Sequence, residues 1–156
     1  MTIESTNSFV VPSDTKLIDV TPLGSTKLFQ PIKVGNNVLP QRIAYVPTTR
    51  FRASKDHIPS DLQLNYYNAR SQYPGTLIIT EATFASERGG IDLHVPGIYN
   101  DAQAKSWKKI NEAIHGNGSF SSVQLWYLGR VANAKDLKDA GLPLIAPSAV
   151  YWDENS

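Results

Sequence analysis

Three short β-favouring runs constrain this chain more than any other feature. They are Arg42-Ile-Ala-Tyr-Val46, Thr76-Leu-Ile-Ile-Thr80 and Phe120-Ser-Ser-Val-Gln-Leu-Trp126. Each ends on polar or rigid residues, and helix-period stretches separate them. Strands joined through helices pair in parallel, and right-handed crossovers put those helices on one side of the sheet. An unbroken apolar run such as Leu77-Ile78-Ile79 suits a parallel strand covered on both faces. The expected class is α/β: an N-terminal hairpin, then β, α, β, α, β. That is about three parallel strands and two helices, the start of a (β/α)8 TIM barrel.

The local signals fill in this order. Ile32-Lys33-Val34 and Asn37-Val38-Leu39 flank Gly35-Asn36, a pair that tolerates positive φ, so residues 28–39 read as a hairpin. Pro47 ends the first core strand because it lacks the N–H that a ladder needs. Ser60-Asp61-Leu62-Gln63 fits a capping box. Leu62, Tyr66, Ala69 and Tyr73 then recur at helical spacing, predicting a helix to about Tyr73 that Pro74-Gly75 stops. Residues 81–100, with Gly89-Gly90 and Pro96-Gly97, read as a long loop, a kind that is often functional. Asn100 or Asp101 caps a second helix with Trp107, Ile110, Ala113 and Ile114 as its buried stripe. His115-Gly-Asn-Gly118 closes it through a left-handed cap. Residues 130–156 look loop-like.

Size and charge narrow the function. The chain has 156 residues, net charge +1 and no cysteine. No basic run suggests nucleic acid, and no stretch reaches the roughly 18 apolar residues of a membrane span. The lack of cysteine removes disulfides, thiolate metal sites and a cysteine nucleophile, and suits a reducing compartment such as the cytoplasm. Residues 1–27 are Ser/Thr-rich and read as an N-terminal tail or strap, not a signal peptide. Residues 28–156 would be an incomplete barrel portion, since eight β/α units need about 250 residues. A small open α/β domain is the alternative.

Barrel active sites lie at the C-terminal ends of the strands. There the sequence places Pro47, Thr48 and Thr49, then Glu81 and Ala82, then Gln124 and Trp126. None is a nucleophile with a neighbouring base. Hydroxyl, backbone amide and carboxamide suit the polar edge of a flat ring system, so a cofactor would bring the reactivity. Read singly, each has a plainer role. Thr48 and Thr49 can cap a strand, Gln124 can satisfy backbone, Trp126 can be core, and Arg50 and Arg52 can be solvated. Glu81 is expected to be ion-paired or hydrogen-bonded near the barrel mouth rather than catalytic. His57, His94 and His115 are expected to be structural or solvated.

Four motifs resemble the Old Yellow Enzyme family of FMN-dependent ene-reductases, in its yeast branch. They are Leu28-Phe-Gln-Pro-Ile-Lys-Val-Gly-Asn-Asn37, Pro47-Thr-Thr-Arg50, Tyr73-Pro-Gly-Thr-Leu-Ile-Ile-Thr-Glu81, and Ser119-Phe120 with Val123-Gln-Leu-Trp126. The resemblance implies a single eight-stranded barrel of which this chain is the N-terminal portion. It implies an NADPH dehydrogenase that reduces the activated C=C bond of α,β-unsaturated carbonyls. FMN would be bound by Pro47, Thr48, Thr49, Ala82 and Gln124, with the Thr49 hydroxyl on the C4 carbonyl and Gln124 on the pyrimidine edge. Trp126, Leu128 and Ile91 would line the substrate pocket. Ala82 stands where yeast relatives usually carry glycine, and Ile91 where they carry tyrosine. The proton donor and the carbonyl-anchoring pair would lie beyond Ser156, so no catalytic residue and no metal ligand is expected here. Enones, quinones, phenols or steroids are the expected ligands, with NADPH as hydride donor and a homodimer as a possible assembly. A steroid- or phenol-binding flavoprotein with incidental turnover, or an inactive structural fragment, are the alternatives.

Overall fold

Residues with a turn signal between two β-favouring triplets leave little choice of local structure. The computed structural model, which describes residues 23–148, begins with short 3-10 turns at Leu23–Ser25 and Lys27–Phe29. Most of the expected N-terminal tail, residues 1–22, lies outside the described residues. Strands β1 (Ile32–Val34) and β2 (Asn37–Leu39) then form the antiparallel hairpin, with Gly35 at φ +58° in its turn. Of the two hairpin strands only Leu39 is buried.

That sheet has three parallel strands in the order β3-β4-β5, with β3 at Ala44–Tyr45, β4 at Leu77–Phe84 and β5 at Phe120–Trp126. Helix α1 (Asp61–Arg70) connects β3 to β4, and α2 (Asp101–Gly116) connects β4 to β5. Both pack on one face. Tyr67 of α1, Trp107, Ile110 and Ile114 of α2 and Ile78 of β4 make one buried cluster. Trp107 Nε1 donates to the Gly97 carbonyl at 3.0 Å, so the indole is buried without an orphaned donor.

Four expectations change. The α1 stripe is not Leu62, Ala69 and Tyr73, which are exposed, but Gln63 and Tyr67, with Leu64 and Tyr66 half-buried. The helix also ends at Arg70, because Ser71 caps it by donating its N–H to the Tyr67 carbonyl. Strand β4 runs to Phe84, beyond the expected end at Thr80, because a bulge carries it through a break in the apolar pattern. A further short helix, α3 (Ala134–Asp139), lies in the stretch read as loop. Asn133 caps it, accepting from the Lys135 and Asp136 N–H groups, and Leu137 is its buried residue. The end of that stretch, residues 149–156, lies outside the described residues.

Candidate functional site

The bulge decides which side chains share a face. Ile79 is level with Ser122 and Ala82 with Gln124, so two residues of β4, Thr80 and Glu81, stand against Val123 alone. Ile78 packs on the helices, and Thr80 lines a small cavity with Trp107 and Val123, so both point to the helix side. In a regular strand Glu81 would then point away from the helices and Ala82 towards them. The extra residue reverses this. Glu81 turns to α1, and Ala82 and Phe84 fall on the helix-free face beside Gln124 and Trp126. The Phe84 and Trp126 rings stack there, 5.4 Å apart and 4° from parallel.

Glu81 is fully buried, and its carboxylate is held by dipoles. Oε2 accepts the Arg50 backbone N–H at 3.0 Å. Oε1 accepts from Gln63 Nε2 at 2.9 Å and from the Tyr67 hydroxyl at 3.2 Å. The same hydroxyl accepts the Glu81 N–H at 2.8 Å. Gln63 cannot turn its amide, because its oxygen closes the capping box on the Ser60 N–H at 2.9 Å. Burial, and then the charge of Glu81, hold the Tyr67 pKa above the usual tyrosine range, so Tyr67 stays a donor. Hydrogen bonds from neutral donors to a carboxylate are among the stronger ones in a protein interior.

This network fixes the loop after β3. Arg50 is tied to Glu81, so the residue after Thr49 is anchored to β4 at the position before Ala82. Thr49 is half-buried, and its hydroxyl has no hydrogen-bond partner among the described residues. Pro47 is half-buried, while Thr48 is exposed and donates its hydroxyl to the Val46 carbonyl at 3.4 Å, the plain capping role. Gln124 is exposed. Its N–H donates to Thr80 Oγ1 at 3.4 Å, and its carboxamide has no partner among the described residues. One hydrogen bond therefore ties Arg50, the neighbour of Thr49, to Glu81, and one strand register sets Ala82 beside Gln124.

The residues expected on the substrate side meet through Gly89-Gly90. A Cβ on Gly90, at φ +150°, would lie 2.5 Å from Leu128 Cδ1 and 2.9 Å from the Phe84 ring. The Leu128 N–H donates to the Gly89 carbonyl at 2.8 Å. This close approach needs glycine, and half-buried Ile91 follows it in the chain. An open groove of about 620 Å³ runs between Leu128–Val131 and Ile145–Pro147, but neither Thr49 nor Gln124 lines it.

The histidines hold loops. His57 Nδ1 donates to the Val95 carbonyl at 2.6 Å and His94 Nδ1 to the Ala53 carbonyl at 2.8 Å, cross-linking the loops after β3 and β4. His115 is exposed beside Ser121 at 3.1 Å. Arg50 and Arg70 lie over the Tyr66 ring, 4.5 and 4.7 Å from its centre, and Tyr66 shares a hydrogen bond with Tyr45. Burial raises the Tyr66 pKa, but the bonds from Tyr45 and Arg70 and the two cations outweigh it, and the net shift is downward.

The Glu81 network was only half visible in the sequence. A lone acid ending a buried strand needs donors, but nothing in the letters points to Gln63 and Tyr67, one helical turn apart, as their source.

Comparisons with known proteins bear on the family and the fold. The model described as the NADH:flavin oxidoreductase / NADH oxidase family matches residues 27–155. The chain is 99% identical over its 156 residues to a probable NADPH dehydrogenase of Candida albicans, of which it covers 38%. It is 38% identical over 128 residues to a probable inactive reductase of Epichloe festucae var. lolii, covering 82% of this chain and 34% of that protein. The crystal structure of Old Yellow Enzyme from Pichia sp. AKU4542 superposes with a TM-score of 0.80 at 49% identity, over 86% of this chain and 35% of that one. The chain thus spans 38% or less of the length of these relatives. The expected class is borne out: the described residues form an N-terminal part of an α/β barrel.

Proposed function

Because the chain belongs to the NADH:flavin oxidoreductase / NADH oxidase family, we propose that it supplies one wall of an FMN site in an NADPH-oxidising reductase of activated C=C bonds. The observation that carries this reading is the register of Ala82 beside Gln124 on the helix-free face, with Arg50, the residue after Thr49, hydrogen-bonded to Glu81 of the same strand. FMN, when bound, would supply the hydride chemistry between NADPH and an α,β-unsaturated carbonyl.

The chain's own residues would bind and orient. Gln124 offers a donor and an acceptor to a pyrimidine-like edge. Thr49 offers a hydroxyl to a ring carbonyl, and the Ala82 backbone lies between them. Pro47 and Thr48 would contribute backbone atoms along the ring. Trp126, Leu128 and Ile91 would line the substrate side, excluding water and meeting a small-molecule enone, quinone or phenol. The residue that delivers the proton is not assigned among these.

The whole protein is read as a cytoplasmic enzyme, with a homodimer as a possible assembly. No helix among the described residues is long and apolar enough to cross a membrane. One relative is named as a probable inactive reductase, so activity needs its own assay. The full-length protein should show flavin absorbance near about 450 nm and consume NADPH with cyclohexenone. Tight phenol or steroid binding with no turnover would favour the binding-protein reading instead. One hydrogen bond is worth about 0.5–1.5 kcal/mol, or roughly 10–30 mV for two electrons. Thr49→Ala should therefore lower the flavin potential by that order and slow reduction by NADPH. An unchanged potential and rate would remove Thr49 from the site.

A further inference from the structure

A buried acid with no cation beside it is unusual, since burying a charge is costly unless donors surround it. Among the described residues the ion pairs are Lys108–Glu112 and Lys135–Asp139, both exposed. Glu81 has neutral donors alone: the Arg50 N–H, the Gln63 amide and the Tyr67 hydroxyl. The Arg50 guanidinium lies instead over Tyr66. Two of the donors come from α1 and would suffice to dock that helix. The third comes from the loop after β3, one residue beyond Thr49, and Glu81 is itself the residue before Ala82.

We propose that Glu81 is a positioning residue for the cofactor edge, holding the Arg50 amide so that Thr49 is presented beside Ala82. The inference rests on the flavin reading above. Gln63 makes the arrangement rigid, because its amide is fixed at one end by the Ser60 N–H and at the other by Glu81. The start of α1, the strand end and the loop thus move as one unit. A glutamine at position 81 would break it. Whichever way its amide were turned, its NH2 would face either the Arg50 N–H or the Gln63 NH2. The amide that remained would also be a weaker acceptor than the carboxylate.

The test uses the full-length flavoprotein and four forms: wild type, Thr49→Ala, Glu81→Gln and the double variant. Flavin reduction by NADPH is followed under anaerobic stopped flow, with thermal unfolding alongside. Glu81→Gln should slow reduction roughly fivefold, about the worth of one hydrogen bond. Its effect should not add to that of Thr49→Ala, because both act through one contact. A Glu81→Gln protein that melts earlier but is reduced at the wild-type rate would overturn the proposal. So would rate losses that multiply in the double variant. If Glu81→Gln does not fold, Glu81→Asp, which keeps the charge but draws it back from the loop, is judged by the same criteria. Failure of both to fold would assign Glu81 to stability and reject the positioning role. A wild type without flavin would sink the flavin reading itself, whereas a Thr49→Ala variant reduced at the normal rate would remove Thr49 from the site and overturn the positioning role alone.

Discussion

Strands β4 and β5 are hydrogen-bonded neighbours, yet they live in different surroundings. Along β4 the side chains of Ile78, Glu81, Thr83 and Phe84 are fully buried. Along β5 Val123 is 39% and Leu125 59% exposed, and Gln124 is exposed too. Composition does not explain this, for both strands carry apolar and polar residues in similar measure. Position does. β4 has a strand on each side, both helices behind it and the Gly89-Gly90 loop over its end, whereas β5 has β4 alone as a strand partner among the described residues. The two halves of the candidate site inherit the difference. Thr49 and Ala82 are placed by a buried network that is complete within these residues. Gln124 is placed by backbone register, with its carboxamide unheld.

The sharpest way to break that contrast is to truncate one polar side chain on each strand. Glu81→Ala strands the Arg50 N–H, the Gln63 amide and the Tyr67 hydroxyl, and unmet buried donors cost about 1–3 kcal/mol apiece. Allowing for relaxation, the full-length protein should lose about 3–5 kcal/mol in urea unfolding. Gln124→Ala should stay within about 0.5 kcal/mol while weakening flavin binding. Equal losses would show that β5 is as tightly built as β4.

The second test asks whether the exposure of β5 persists in the longer relatives' setting. If the barrel of this family closes beside β5, Leu125 becomes buried. Leu125→Lys in the full-length protein should then cost about 2–3 kcal/mol, from lost apolar burial and a buried ammonium. A cost below about 0.5 kcal/mol would leave β5 an edge strand and weaken the barrel-wall reading of Gln124.

How far the sequence could be read follows the same division between local and distant causes. The hairpin, the parallel strands and α2 were legible because their signals are local: Gly35 in a turn, a capping Asn100, and Trp107, Ile110 and Ile114 at helical spacing. The face of α1 was not, because its buried side is Gln63 and Tyr67. Those residues are inside on account of Glu81, eighteen positions beyond Gln63. The end of β4 was hidden by the bulge, which puts two polar residues, Thr80 and Glu81, in succession after the apolar run. Helix α3 was missed because Leu137 is its lone buried apolar residue. Phe51, His57 and His94 take positive φ with no glycine to announce it, and for the two histidines the hydrogen bonds to Val95 and Ala53 come from another loop. The candidate residues Thr49, Ala82 and Gln124 were picked out as strand ends, whereas Ala82 and Gln124 lie within β4 and β5. What the letters could not show was that the acid before Ala82 binds the backbone of the residue after Thr49.

The finest probe of the β4 side is the Tyr67 hydroxyl, which Tyr67→Phe removes. At neutral pH the loss leaves the Glu81 N–H without its acceptor and should cost about 1–2 kcal/mol. Alkali should change that difference in a definite direction. Burial first, and the Glu81 charge second, raise the Tyr67 pKa in the folded chain, while the unfolded chain titrates near about 10. Above that pH the unfolded state releases a proton that the folded state keeps, so the stability tied to Tyr67 is full below about pH 10 and falls as pH rises. The fall approaches about 1.4 kcal/mol per pH unit. Phenylalanine carries no such proton, so the wild-type advantage should shrink to nearly nothing by roughly pH 11. Parallel pH–stability curves for the two proteins would mean that Tyr67 is solvated in the full-length protein. In that case the buried network would not separate β4 from β5 as described.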